Sequence, residues 1–395
     1  MSADKKTFAS STDSVHAGIP HARPHHALSL SIEPTATYTF ANTAELERYM
    51  RGEDPDPERE EYGRYGNPTV CELERRVAEL ELAEAGVAFS SGMAAIATAV
   101  LSLVKAGDHV VLFQDGYRRT RQLVSQTLAR FGVEHSIVPS GDLAALSAAL
   151  QGNTRLVIAE SPTNPHVFCV DLCELSALVK ARGRIRTLVD STLATPINCR
   201  PLEFGVDLVV HSATKSLAGH NDVLGGVVVG PQHLISLLRD ARGVLGSVLD
   251  PHAAFLIARG LKTLGIRTQR QNTNALAIAR ALEAHPRVER VFYPLLESHP
   301  SHAAARAQMK GGGYMVSFIV KGGRGAASRL IDAVKIPKIA ASMGGVESLI
   351  EQPARMTHCT TAGSPFGVDE SLLRLSVGLE DCDELSADLD HALAR

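Results

Sequence analysis

Four short apolar runs in the middle of this chain, Val110–Phe113, Arg155–Glu160, Arg186–Asp190 and Leu208–Val210, each end in a small polar turn. Amphipathic helical patterns separate them, the clearest covering about Leu172 to Ala181. Strands joined through helices run parallel, because a chain that re-enters a sheet in the same direction needs a crossover of about a dozen residues or more. The spacing therefore predicts an α/β fold built on a mainly parallel, doubly wound sheet. Ligands of such sheets bind beyond the carboxyl ends of the strands. Tyr117, Asn164, Asp190 and Lys215 all fall just past those ends, so the pattern brings them to one crevice.

Lys215 stands in His211-Ser-Ala-Thr-Lys215, followed by Ser216-Leu-Ala-Gly-His-Asn-Asp-Val-Leu-Gly-Gly226. A lysine at the mouth of a strand suits an amine that attacks a carbonyl, its pKa lowered by burial and a nearby dipole. Ser212 and Thr214 offer hydroxyls for a phosphate. A surface lysine in a Ser/Thr turn is the plainer alternative, but it does not account for the loop of Gly, His and Asn that follows. The sequence favours a Schiff-base lysine. Ser90-Ser-Gly-Met93 precedes an apolar helical run from Ala94 to Val104, and is either a phosphate cradle at a helix N-terminus or a plain N-cap. Arg64, in Tyr62-Gly-Arg64 ahead of an amphipathic helix bearing Leu73, Val77 and Leu80, either grips an oxyanion or is solvated. Asp190 is a turn residue or an electrostatic partner within the lysine's crevice. Arg374 lies inside the apolar stretch Leu373–Gly378, where a guanidinium is costly unless a carboxylate or ligand pairs with it.

The totals remove several classes. A net charge of −3, with no basic stripe interleaved with aromatics, argues against nucleic acid as a partner. The longest nearly apolar run, Met93 to Val104, falls short of the ~20 residues of a membrane span. The six cysteines, Cys71, Cys169, Cys173, Cys199, Cys359 and Cys382, show no CxxC spacing, and the sixteen histidines contain no HExxH. That usage fits free thiols in a reducing compartment and no metal site. With no apolar core in Met1–Phe8, the expected location is cytoplasmic. There is no P-loop and no GxGxxG. At 395 residues the chain has room for an arm over 1–61, an α/β domain over 62–250 and a smaller α+β domain over 251–395. The arm, read as extended with turns through Ser14–Gly18 and Ile32–Phe40, is of a length that reaches over a neighbouring subunit.

Tyr62-Gly-Arg64, Ser91-Gly-Met93, Glu160-Ser-Pro-Thr-Asn-Pro165, Asp190-Ser-Thr192, His211–Lys215, Arg259–Leu264, Gly344–Leu349 and Arg374–Gly378 together resemble the Cys/Met-metabolism family of pyridoxal-phosphate enzymes. The resemblance implies the fold-type I aminotransferase-like architecture and pyridoxal 5′-phosphate as cofactor. It assigns Lys215 to the Schiff base and to proton shuttling, and Asp190, beside Thr192, to the pyridinium nitrogen. Tyr117 would stack on the ring and help with proton or leaving-group handling. Gly92, Met93, Ser212 and Thr214 would hold the phosphate, with Tyr62 and Arg64 arriving from the adjacent subunit. Arg374, Ser342 and Asn164 would bind the α-carboxylate of an amino-acid substrate. That shared site implies an obligate dimer, with a homotetramer as a pair of dimers. Asp115–Arg121, Gly219–Val223 and Glu351-Gln-Pro353 further resemble the cystathionine γ-synthases, particularly the plant-type ones. The activity implied is γ-replacement on an O-activated homoserine, with a γ-lyase or a homoserine sulfhydrylase as alternatives. A non-catalytic binding protein on the same scaffold is the alternative from another class. Arg118 and Arg119 follow the tyrosine where many lyases carry small residues, and one of them is expected to meet a negatively charged γ-substituent.

Overall fold

Two sheets share the chain. The computed structural model describes residues 8–20, 23–56, 59–356 and 367–395, and Cys359 and the Met1–Thr7 start lie outside them. The large sheet comprises β1 (Ala85–Phe89), β2 (His109–Phe113), β3 (Glu134–Val138), β4 (Thr154–Glu160), β5 (Arg186–Asp190), β6 (Leu208–His211) and β7 (Gly226–Gly230), in the order β1-β7-β6-β5-β4-β2-β3. Its pairings are parallel except those of β7, which runs antiparallel to both β1 and β6.

Burial explains why these runs are strands. Along β2, Val111 and Phe113 enter one core while Val110 and Leu112 enter the other. In β4, Val157 and Ala159 oppose Leu156 and Ile158, and in β6 Val209 opposes Leu208 and Val210. Successive side chains of a strand point to opposite faces. Continuous apolar runs therefore mean that both faces are covered. One face is covered by the helices Pro68–Leu80, Leu172–Lys180 and Pro251–Leu261, the other by Gly92–Leu103 and Gln232–Leu245. The doubly wound reading is confirmed. Leu73, Val77 and Leu80 sit on the buried side of the Pro68–Leu80 helix, as their spacing predicts.

The second sheet contains β8 (Val288–Phe292), β9 (Met315–Val320), β10 (Lys338–Ile339), β11 (Leu349–Glu351) and β12 (Leu372–Ser376), in the order β10-β11-β12-β9-β8. Its core holds Val316, Phe318, Leu373 and Leu375 against the helix Leu264–Ala284. Ala254, Ile257 and Ala258 of the preceding helix pack in the large sheet's core.

The amino-terminal segment departs from the extended arm expected of it. Ser11–His16 is a helix closed by a capping box between Ser10 and Asp13, which provides the local hydrogen bonds that an extended chain would leave to water. Arg76 donates to Ser14 O at 3.0 Å, and Arg23 pairs with Glu72 at 2.5 Å, so part of the arm docks on its own chain. The Thr43–Met50 helix buries none of its residues.

Arg267 locks the lysine loop from beneath. This buried guanidinium donates to Ser216 O at 2.7 Å and to Gly260 O at 2.8 Å, and its Nε donates to Thr263 Oγ1 at 3.0 Å. Arg267→Met leaves Ser216 O buried without its donor, while Gly260 O keeps those from Thr263 N and Thr263 Oγ1. It should cost about 1–3 kcal/mol in urea denaturation, the scale of one stranded buried group.

Candidate active site

The carboxyl ends of β2, β4, β5 and β6 open on a cavity of about 380 Å³, walled on its far side by Ala341–Met343 and Arg374. Lys215, Asp190, Tyr117, Asn164, Thr192, Ser212, Thr214, Gly92, Met93, Ser342 and Arg374 all line it. Eleven of the fourteen residues singled out from the sequence thus meet in one place.

Lys215 Nζ donates to Ser342 Oγ at 2.8 Å. Burial pushes its amine down from the ordinary 10.5 to about 8, helped by the Arg374 guanidinium and opposed by Glu351. An amine at that value exchanges protons readily near neutrality. Ser342 is held at φ +90°, a region that non-glycine residues enter at a cost of about 1–3 kcal/mol. The strained turn aims two groups at once: its hydroxyl at Lys215, and its carbonyl at Arg374 Nη2, 3.0 Å away.

Arg374 projects from β12 and is buried with Glu351 of the neighbouring strand, whose Oε1 lies 2.9 Å from Nη1. Asn164 Oδ1 accepts from the same nitrogen at 3.1 Å. The carboxylate partner demanded by an arginine in a strand is therefore Glu351. Arg374 Nε stays buried without a hydrogen-bond partner, an orphaned donor beside the cavity that suits an incoming carboxylate.

Asp190 ends β5. Its Oδ1 accepts from Thr192 N at 3.0 Å and Thr192 Oγ1 at 2.5 Å, and that hydroxyl in turn accepts from Ser212 N at 2.8 Å. Thr192 thus orients the aspartate. Burial raises the Asp190 pKa, and the Thr192 bonds and His211 oppose the rise. On the same edge Glu160 pairs in register with Asp190, and burial and the Asp190 charge hold its carboxyl well above the usual range.

Gly92 opens the helix Gly92–Leu103, capped by Ser91 Oγ, which accepts from Ala94 N at 3.0 Å. The N-cap and the cradle coexist, because the first N–H groups of a helix have no intrahelical acceptor. A Cβ on Gly92 would stand 2.8 Å from Ser212 Cβ, so only glycine leaves room there. Thr214 Oγ1 accepts from Gly225 N at 3.0 Å, which clips the lysine loop shut.

Three residues stand apart. Tyr62 and Arg64 do not line this cavity; both are exposed, and the Arg64 guanidinium lies 5.5 Å from the Tyr62 ring centroid and 5.3 Å from that of Tyr65. Arg119 lies in the short helix after Tyr117, where its Nη1 donates to Gln122 Oε1 at 2.7 Å. Two residues carry more of the site than the sequence reading gave them. Glu351 was marked only by its motif, and Glu160 ends its strand in the position that singled out Asp190. Among the described residues no group of histidines, cysteines and carboxylates is placed to hold a metal, and no helix is long and apolar enough to cross a membrane.

The residues fit pyridoxal phosphate. The cavity joins an amine of lowered pKa, a fixed aspartate, a glycine-lined helix N-terminus and an orphaned arginine donor. Without cofactor, Lys215 is protonated in both folded and unfolded chains below about pH 8, and its burial destabilises the fold there. Between about 8 and 10.5 only the unfolded chain keeps the proton, so the penalty fades as pH rises. Cofactor-free Lys215→Met should therefore be more stable than the parent at pH 7, by on the order of 3 kcal/mol at ~1.4 kcal/mol per pKa unit. The gap should close toward pH 10 in denaturant titrations.

Comparison with known proteins agrees with this chemistry. The family model for the Cys/Met metabolism PLP-dependent enzymes matches residues 11–394. Cystathionine γ-synthase 1, chloroplastic, of Nicotiana tabacum is 44% identical over 93% of this chain and 68% of that protein. L-methionine γ-lyase of Fusobacterium nucleatum subsp. nucleatum is 41% identical over 97% of this chain and 98% of that one. The crystal structure of metB from Corynebacterium glutamicum superposes with a TM-score of 0.92 at 39% identity, covering 97% of each chain. With its lysine and aspartate at the carboxyl edge of a doubly wound sheet and its arginine across the cavity from them, this chain belongs to the Cys/Met-metabolism family of pyridoxal-phosphate-dependent enzymes.

Proposed function

We propose that the protein catalyses γ-replacement, in which the thiol of L-cysteine displaces the γ-substituent of an O-activated homoserine to give cystathionine. The observation that carries an amino-acid substrate is the pairing, in one cavity, of the Lys215 amine with the orphaned Arg374 Nε. The 44% identity to a cystathionine γ-synthase supports the choice of reaction.

Pyridoxal phosphate, when bound, supplies a carbonyl for amines and a ring that accepts the electron pair left at Cα. Arg374 and Asn164 grip the α-carboxylate, which leaves Cα facing Lys215. With a pKa of about 8, Lys215 Nζ takes the Cα proton and then carries a proton from Cβ. Ser342 Oγ, 2.8 Å away, holds the amine between these positions. The C–O bond at Cγ breaks, a C–S bond forms, and the thiol proton leaves with the released acid. Asp190, fixed by Thr192, would meet the ring nitrogen, and Tyr117, at the cavity mouth, would cover the ring. Ser212, Thr214, Gly92 and Met93 would hold the phosphate.

Tyr62 and Arg64 complete the phosphate site of a neighbouring copy, within a homotetramer built as a pair of dimers. Their exposure on their own chain and distance from its cavity support that arrangement. The division into an arm over 1–61, a cofactor domain over 62–250 and a smaller domain over 251–395 is part of the same reading. We place the enzyme in the cytoplasm, consistent with free thiols at Cys169, Cys173, Cys199 and Cys382. Elimination is the second reading, favoured by the 41% identity to an L-methionine γ-lyase over nearly the whole of both chains.

Three experiments test this reading. The purified protein, given O-succinyl-, O-acetyl- and O-phosphohomoserine in turn, should form cystathionine by mass only when cysteine is added. 2-Oxobutyrate without a replacement product would move it to the lyases. Arg119→Ala should slow turnover of charged donors by about tenfold while sparing O-acetylhomoserine, the scale of one charge-assisted contact; equal losses would end that role for Arg119. Mixing inactive Lys215→Ala and Arg64→Ala subunits should restore activity, because mixed dimers regain one intact site.

A further inference from the structure

We propose that Glu160 is a positioning residue: its carboxyl ties the turn that carries Tyr117 to the turn that carries Asn164, and so sets the ring-covering tyrosine and the carboxylate-binding amide relative to one another. The inference rests on the roles given above to Tyr117 and Asn164.

Glu160 is the last residue of β4, on the crevice edge, with its Cα in register with Asp190. The Tyr117 turn follows β2, the strand beside β4, and Asn164 lies four residues beyond Glu160 itself. No main-chain ladder joins the two turns, since both lie past the ends of their strands. The Glu160 side chain spans them. Its Oε2 accepts from Tyr117 N at 2.6 Å, and the carboxyl also accepts from the backbone N–H of Asn164. The turn approaches so closely that a Cβ on Gly116, held at φ +146°, would stand 3.2 Å from Oε2.

Tyr117 does not hold this place unaided. The turn's helix is short, Arg118–Gln122, and Tyr117 at its N-cap makes no side-chain cap bond. The ring is exposed at the cavity mouth, so packing constrains it weakly. Arg121 Nη1 bonds Gly116 O at 2.8 Å from the outer side, and Glu160 bonds from within the cavity. A carboxyl suits the task because each of its oxygens accepts, so it meets two N–H donors without presenting one of its own.

The test uses the holoenzyme and two readouts independent of turnover. One is the visible circular dichroism of the bound cofactor, which responds to the packing of Tyr117. The other is the dissociation constant for glycine, a probe of the carboxylate grip, read from the cofactor's absorbance. Glu160→Ala should halve the dichroic band or more and weaken glycine binding by about tenfold, the scale expected when a positioning group is lost. Glu160→Gln keeps one acceptor oxygen and should lie between Ala and the parent; it also serves where the alanine variant does not assemble. The dichroic effect should vanish in a Tyr117→Ala background, and the glycine effect in an Asn164→Ala background. Equal effects in every background, or a fall in melting temperature with neither readout moved, would overturn the proposal and leave Glu160 a support of the fold. Should Tyr117→Ala and Asn164→Ala themselves leave both readouts unchanged, the assignment of those two residues fails, and this inference with it.

Discussion

The active site is organised around a buried positive charge. Arg374 sits in the middle of a strand with almost no exposure, where an unpaired guanidinium would cost several kcal/mol or more. Glu351 on the adjacent strand offsets that cost, and the Asn164 amide and Ser342 carbonyl take up further donors. Each partner is thereby fixed as a consequence. Ser342, held in a left-handed conformation, directs its hydroxyl to Lys215, and the same guanidinium helps depress the lysine's pKa. In the proposed function, anchoring a substrate carboxylate and preparing the lysine become one electrostatic arrangement.

Facing that charge, the carboxyl edge of the large sheet presents acids in place of bases. Asp190 and Glu160 end neighbouring parallel strands in register, so the sheet itself sets their separation. Two carboxyls so close resist ionising together. Hydrogen bonds divide the work between them: Thr192 holds Asp190, while main-chain donors from two turns converge on Glu160.

Much of this was legible beforehand. Alternation of apolar runs with amphipathic helices reveals a parallel sheet because both demand burial on two faces, and strand C-termini then locate the crevice. The rigid motif around Lys215 needs no tertiary information to stand out. Less legible was β7, whose Gly226–Gly230 run lies directly after a glycine-rich loop and enters the sheet antiparallel. Its direction depends on a pairing with β1, far away in sequence. The helix at Ser11–His16 was hidden for another reason: six polar-rich residues carry almost no periodicity, and a capping box decides the matter locally.

The sequence by itself determined the fold class and the edge on which Tyr117, Asn164, Asp190 and Lys215 meet, since periodicity and strand ends are local properties. Only the tertiary structure decided who partners whom. Glu351 neutralises Arg374, Ser342 reaches Lys215 across 127 positions of chain, and Glu160 bridges two turns. Such contacts are chosen by packing between distant segments, where desolvation makes each unmatched charge or donor costly and selects the one neighbour able to meet it.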